Sequence, residues 1–443
     1  MNARPHTREL HLNVNLLGTG THHGSWRWPG ADPLTFINVE RYVESARIAE
    51  RGLLDAVFLG DIPGLVENIT THPQFNALEP TLILTAIARA TEHIGLIATA
   101  STSYNEPYNL ARRLQALDLI SHGRTAWNAV TTYAPNVARN FVPTPPDRRE
   151  RYARASEFVD VVRQLWTSWE PGAVPADVQS GHYAEMSRIR PIDHKGTYFT
   201  VEGPLCLPPS EQGHPVILQA GGSDEGRTLA AATADAVFSG ALDIEAARTD
   251  RADIRRRVAA TGRDGSSIVI LPGLTTSVGG TEREALERRE RLDELEDRSD
   301  QLRRLAAQLT VDPLELELDK PVPETLLTGA YNPVHGHHRR VSQLAHEGLT
   351  VRDILRRGGG SGHLVAAGSP EQIADIIEQW FTGGAADGFN VMPDVMTDGL
   401  PAFVDHVVPV LQRRGLFRTE YRGSTMRDHY GLEIPASRAA AIR

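Results

Sequence analysis

Two adjacent histidines, His22 and His23, follow the apolar run Leu10–Gly18 within the segment GTGTHHG. Imidazoles at the end of a buried strand can donate or accept a proton near neutral pH, so both are candidate catalytic groups. A metal would need a third ligand; His335, His337 and His338 in NPVHGHHRR could offer one, but no carboxylate shares their spacing and no metal is expected. Asp61 terminates AVFLGD, where it either faces a site or caps the next loop. Thr99, Ser101, Thr102 and Ser103 put hydroxyls at the end of a third run, able to hydrogen-bond a heterocycle or a sugar-like chain. Ala126–Thr132 has the length and β-branched content of a buried strand yet carries Trp127, Asn128, Thr131 and Thr132. Such groups need partners, which a bound polar cofactor or neighbouring backbone would supply. In QAGGSDEGR a strand runs through Gly221 and Gly222 into a helix opened by Ser223. Free helix N–H groups beside glycines suit a phosphate monoester; an ordinary N-cap has the same signature.

These residues fall at the ends of short apolar runs that alternate with amphipathic stretches, the order of an α/β chain with a parallel sheet. The expected strands are Leu10–Gly18, Ala56–Asp61, Ile94–Thr102, Thr125–Thr132, Pro215–Gly221, Ala236–Gly240, Ile268–Val278 and Gly388–Pro393. Helical patterns occupy Leu34–Gly52, Glu79–Thr91, Asn109–Ile120, Arg151–Trp169, Ser223–Ala234, Ile244–Thr261 and Pro370–Phe381. Eight strands in such a series predict a (β/α)₈ TIM barrel in one domain, with short tails at 1–9 and 425–443. Two segments exceed ordinary connections and read as lids or pocket walls: 170–213, and 281–364, which opens with the charged run ERRERLDELEDRSDQLRR, expected to be a solvated helix.

The chain of 443 residues, 40% hydrophobic, can bury a large core. A net charge of -10 argues against nucleic acid or an anionic membrane as a partner. The lone cysteine, Cys206, rules out an internal disulfide framework and a cysteine-rich metal site. With no secretory signal and no apolar run of about 18 residues, the expected location is the cytoplasm. GTGTHHG places its third glycine too late for a dinucleotide fingerprint, and SWRWPGADP follows where a helix should begin. GGGSG at 358–362 precedes no phosphate-binding helix and reads as a flexible loop.

With these segments in order, the chain resembles the flavin-dependent monooxygenases of the bacterial luciferase-like superfamily, in the group that contains nitrilotriacetate monooxygenase component A, dibenzothiophene sulfone monooxygenase and pristinamycin IIA synthase. The likeness runs from Leu10 to Leu432 through SWRWP, ERGLLDAVFLGD, LDLISHGRTAWNAVTT, RYARASEFVDVVRQLWTSW, HKGTYF, HPVILQAGGSDEGR and HVVPVLQRRGLFRTEY.

That resemblance implies an oxygenase component that takes reduced FMN from a separate NAD(P)H:flavin reductase, reacts it with O₂ to a flavin hydroperoxide, and oxygenates a small organic substrate. It implies that Asp61 and Thr99 line the isoalloxazine, Asn128 and Thr131 hold its polar edge, and Arg148, Tyr152, Gly222 and Ser223 meet the ribityl phosphate. A homodimer or homotetramer is implied as well. The chain departs from the pattern where Arg148 replaces the usual histidine four residues before the tyrosine of the RY pair, and where AWN replaces GWN. Arginine still brings a cation and several donors to a phosphate. The alternatives are a deazaflavin-dependent oxidoreductase of the same superfamily and a flavin-binding barrel without catalysis.

Overall fold

The computed structural model describes residues 8–65, 69–74, 77–132, 134–327, 341–342, 344–356 and 362–435. His335, His337, His338 and most of the GGGSG segment lie outside them. Eight parallel strands close on themselves: β1 (His11–Asn15), β2 (Ala56–Leu59), β3 (Gly95–Ser101), β4 (Thr125–Val130), β5 (Val216–Gln219), β6 (Ala236–Ser239), β7 (Val269–Val278) and β8 (Gly388–Pro393). Each pairs with the next, and β8 returns to β1, so all eight expected strands form the (β/α)₈ barrel.

Alternation along the strands splits the apolar residues into two sets. Phe58, Ile97, Ala126, Leu218 and Leu271 point into the barrel, whereas Leu12, Val57, Leu96 and Trp127 point outward against the helices. The outward layer packs the helix Arg148–Trp166, where Trp127 meets Trp166 edge-on at 6.1 Å and donates from Nε1 to the Ala100 carbonyl at 3.0 Å. Trp127 is therefore a core residue. The helix starts three residues before its expected beginning because Asp147 caps it, accepting from the Glu150 N–H at 2.8 Å.

The lower, N-terminal end of the barrel is closed by a segment that its sequence presents as a tail. Met426 and Tyr430 are buried in the interior core, and the Tyr430 hydroxyl donates to Asn13 Oδ1 at 3.0 Å. Asp55, just before β2, is fully buried there. It accepts from the Leu12 N–H at 2.6 Å, lies 3.2 Å from His11 Nδ1 and is ion-paired with Arg418. Burial alone would raise its pKa, but Arg418 and His11 outweigh that and hold it down to about 2.

Two features were not expected. Residues His194–Lys195 and Thr200–Val201 form a small antiparallel hairpin in the first insertion, fastened to the long helix by Glu157, which accepts the N–H groups of Thr197, Tyr198 and Phe199. Leu364–Gly368, at the end of the second insertion, is a ninth parallel strand. Strand β7 is long enough to pair with β6 over its first half and with Leu364–Gly368 over its second. The second insertion has its own small core, including Leu305, Leu316, Val341 and Ile354. No helix among the described residues is long and apolar enough to cross a membrane.

Candidate active site

Above the apolar interior layer the inward positions turn polar. Asn15, Thr99, Asn128 and Thr275 share the inward side of their strands with Asn13, Ile97, Ala126 and Leu271, two or four residues before them. Thr99 and Asn128 are register partners, and Asn128 Nδ2 donates to Thr99 Oγ1 at 2.9 Å. Asn128 Oδ1, Asn15 Oδ1 and the hydroxyls of Thr275 and Ser277 are buried with no hydrogen-bond partner among the described residues. Buried polar atoms of this kind are costly unless a ligand or water meets them, and here they converge on the C-terminal mouth, where barrel enzymes hold their ligands. Asn15, Thr275 and Ser277 escaped notice in the sequence because their strands read as apolar runs.

The other expected ligand-binding residues lie just after strands or at helix starts. Asp61 stands just beyond β2, half-buried; burial and then repulsion from Glu79 raise its carboxyl to about 6. Thr131 follows β4 directly and is half-buried. Arg148 and Tyr152 lie one helical turn apart on the first two turns of Arg148–Trp166, so they share a face. That helix packs against Asp224–Thr233, whose N-cap is Ser223, accepting the Gly226 N–H at 3.1 Å. Gly226 must lack a side chain, since a Cβ there would lie 2.9 Å from Gly221 Cα; Gly222 faces open space. Four residues expected at a phosphate thus belong to two neighbouring helix starts, with Gly222 open to solvent. Tyr104 stacks on Phe141 with ring centres 4.6 Å apart, and its buried hydroxyl has no partner among the described residues.

The two histidines expected to move protons are each held by definite contacts. His22 Nδ1 accepts the Gly24 N–H at 3.0 Å, which leaves the ring proton on Nε2 to be donated to Asp293 Oδ1, also at 3.0 Å. Both ring nitrogens are used, and His22 fastens the second insertion to the barrel. The helix Glu282–Leu295 approaches so closely that a Cβ on Gly24 would lie 2.5 Å from the Leu292 carbonyl oxygen. Arg288 of that helix binds Asp394 and Asp398 and covers the Trp28 ring at 4.6 Å, while Asp300 of the next helix, Arg298–Leu309, accepts the Thr71 hydroxyl. The charged run is therefore packed, as a roof would be, on the loops that follow β1, β2 and β8, and is solvated on one side only. His22, Asp293 and Glu296 bring ligand atoms within 4.8 Å of one another, but Glu296 is already ion-paired with Arg304.

His23 packs edge-on against His72 at 4.5 Å; burial, and then the charge of Arg304, push its pKa down to about 2. It is neutral at physiological pH and cannot serve as a cationic proton donor. Because the folded protein binds fewer protons here than the unfolded chain, stability contributed by neutral His23 is lost as pH falls below about 6.5. Wild type is expected to lose ground to His23→Gln by up to about 1.4 kcal/mol per pH unit over that range. Urea unfolding of both proteins at pH 7, 6 and 5 checks this; parallel curves would refute it.

A third histidine enters the barrel interior. His363 stacks on the inward-facing Phe238, ring centres 5.4 Å apart and 13° from parallel, over Gly273 of β7. Its only sequence signal was its place after a glycine-rich stretch.

The chain matches the family described as luciferase-like monooxygenase over residues 17–387. It is 40% identical to the N-acetyl-S-(2-succino)cysteine monooxygenase of Bacillus subtilis (strain 168), over 98% of this chain and 99% of that protein. It is likewise 40% identical to nitrilotriacetate monooxygenase component A of Aminobacter aminovorans, over 98% of each. Among solved structures, the EDTA monooxygenase from Chelativorans sp. BNC1 superposes with a TM-score of 0.82 at 34% identity, covering 96% of this chain and 99% of that one.

Proposed function

The chain belongs to the luciferase-like monooxygenase family and is a monooxygenase; we propose that it is the oxygenase of a two-component system, using reduced FMN delivered by a separate NAD(P)H:flavin reductase. The observation that carries the cofactor reading is the ring of buried, unsatisfied polar atoms at the mouth, Asn15 Oδ1, Asn128 Oδ1, Thr275 Oγ1 and Ser277 Oγ. A planar heterocycle edged with donors and acceptors is the kind of group they fit. Asn128, Thr99 and Thr131 would hold the ring, Asp61 would stand at its edge, and Arg148, Tyr152, Gly222 and Ser223 would take the phosphate. When bound, reduced FMN supplies the two electrons with which one atom of O₂ enters the substrate and the other becomes water.

The protein's own work is orientation and exclusion of water. Pairing Asn128 to Thr99 fixes the amide before any ligand arrives, so little reorganisation is needed on binding. The roof anchored by His22, Arg288 and Asp300 shields the mouth, while exposed Ile62, Leu65 and Phe141 at its rim offer an apolar approach. The two related proteins at 40% identity are named for carboxylate-rich compounds, a succinylated cysteine and nitrilotriacetate, and small polycarboxylates and thioethers are the first substrates to try.

Anaerobic titration with reduced FMN, in parallel with a reduced deazaflavin, is expected to give saturable binding of FMN. Oxygen uptake stoichiometric with an oxygenated product should follow in the presence of a flavin reductase. Binding of the deazaflavin alone, or uptake that ends only in hydrogen peroxide with every candidate, would overturn the reading.

A further inference from the structure

Gly273 faces the barrel interior, in register with Asn390 and two residues beyond Leu271 of the interior core. It carries no side chain into that space. A Cβ there would lie 2.4 Å from His363 Nδ1, so the imidazole occupies the socket that the glycine leaves open. The ring is delivered from outside the barrel proper, by the residue before Leu364–Gly368, and that strand is locked to β7 from Leu364↔Leu274 to Gly368↔Val278. Inside, it completes an aromatic ladder: Phe58 meets Phe238 at 5.7 Å, and Phe238 meets His363 at 5.4 Å. The ladder rises from the apolar layer to the level of Gly273, one inward position below Thr275, whose hydroxyl is among the unsatisfied polar atoms. His22 is spent on Asp293 and Gly24, and His23 is buried against His72, whereas His363 stands over Gly273, on the inward side of the strand that carries Thr275 and Ser277.

We propose that His363, seated in the Gly273 socket, relays a proton at the barrel mouth during oxygen transfer, a role that rests on the oxygenase reading above. The O–O bond of dioxygen breaks; one oxygen atom bonds to the substrate, and the other leaves as water. Reduced FMN provides both electrons and both protons and ends as oxidised FMN. His363 passes one of those protons to the departing oxygen and is restored in the same turnover. Gly273 is a positioning residue, acting only by leaving room for the ring.

His363→Ala is expected to lower kcat by about 100-fold, within the usual range for loss of a general acid, with KM changed less than threefold. Added imidazole should restore at least a tenth of the lost activity, and a non-basic ring of similar size, such as thiophene, should not. Gly273→Ala, which keeps the histidine but fills its socket, should depress kcat to a similar degree. A separate readout needs no turnover: diethyl pyrocarbonate labelling, mapped by mass spectrometry, should modify His363 in the flavin-free protein and be blocked by FMN. Unchanged kcat in His363→Ala, equal effects of imidazole and thiophene, or labelling indifferent to FMN would each overturn the proposal. If no substrate is oxygenated at all, the labelling still reports where His363 lies, so failure of the oxygenase reading stays distinguishable from failure of this one.

Discussion

Asn128→Leu is expected to weaken binding of reduced FMN by about 10- to 100-fold while leaving the fold intact. Leucine branches at Cγ as asparagine does, though its methyl groups are bulkier, and it removes both the Nδ2 donor to Thr99 and the unsatisfied Oδ1. The folded protein loses one buried hydrogen bond, worth about 1 kcal/mol, and is relieved of an acceptor that has no partner in the absence of ligand. The ligand loses a fixed contact and the orientation that it imposes. Flavin fluorescence titration gives the affinity and thermal unfolding gives the stability. Flavin bound as tightly as by wild type would remove Asn128 from the site.

Asp55→Ala should do the reverse, destabilising the barrel by about 3–5 kcal/mol with little direct effect on flavin affinity at temperatures where the variant stays folded. The carboxylate is buried at the lower end, and its loss leaves the Arg418 charge and the Leu12 N–H without their acceptor. Because its pKa is depressed to about 2, the stability it contributes is complete above about pH 4 and is lost as pH falls through 2. Urea unfolding at pH 7 measures the difference. A change below 1 kcal/mol would mean that water replaces the ion pair.

The barrel was legible because its strands are buried on both faces and so read as unbroken apolar runs. Leu364–Gly368 was not, since LVAAG is short, has small side chains and pairs only with the upper half of one strand. The closing of the lower end by Met426 and Tyr430 was hidden for a related reason: TMRDHYGL has no periodicity, and its burial depends on a cavity made by distant strands. At the site, Thr99 and Asn128 stood out as polar residues inside apolar strands, and the structure pairs them. His22 and His23 stood out equally, but type and position say nothing about which nitrogen is already engaged. Asp293 and Arg304, which decide that, sit some 270 residues away in a charged run where each resembles its solvated neighbours.

The double pairing of β7 has a consequence for how such a molecule can diversify. The second insertion departs after Val278 and returns on Leu364–Gly368, which lies alongside the same strand, with the Gly279 N–H donating to the Gly368 carbonyl at 3.1 Å. Its two ends are therefore clamped side by side, and the entropy of closing the loop rises only slowly with length, by about 0.6 kcal/mol per doubling. Residues between the clamps that make no contact with the barrel can be lengthened, shortened or exchanged at little cost to it. One scaffold can thus carry interchangeable roofs, and selection for a new substrate can act on the cassette while the cofactor's cradle stays as it is.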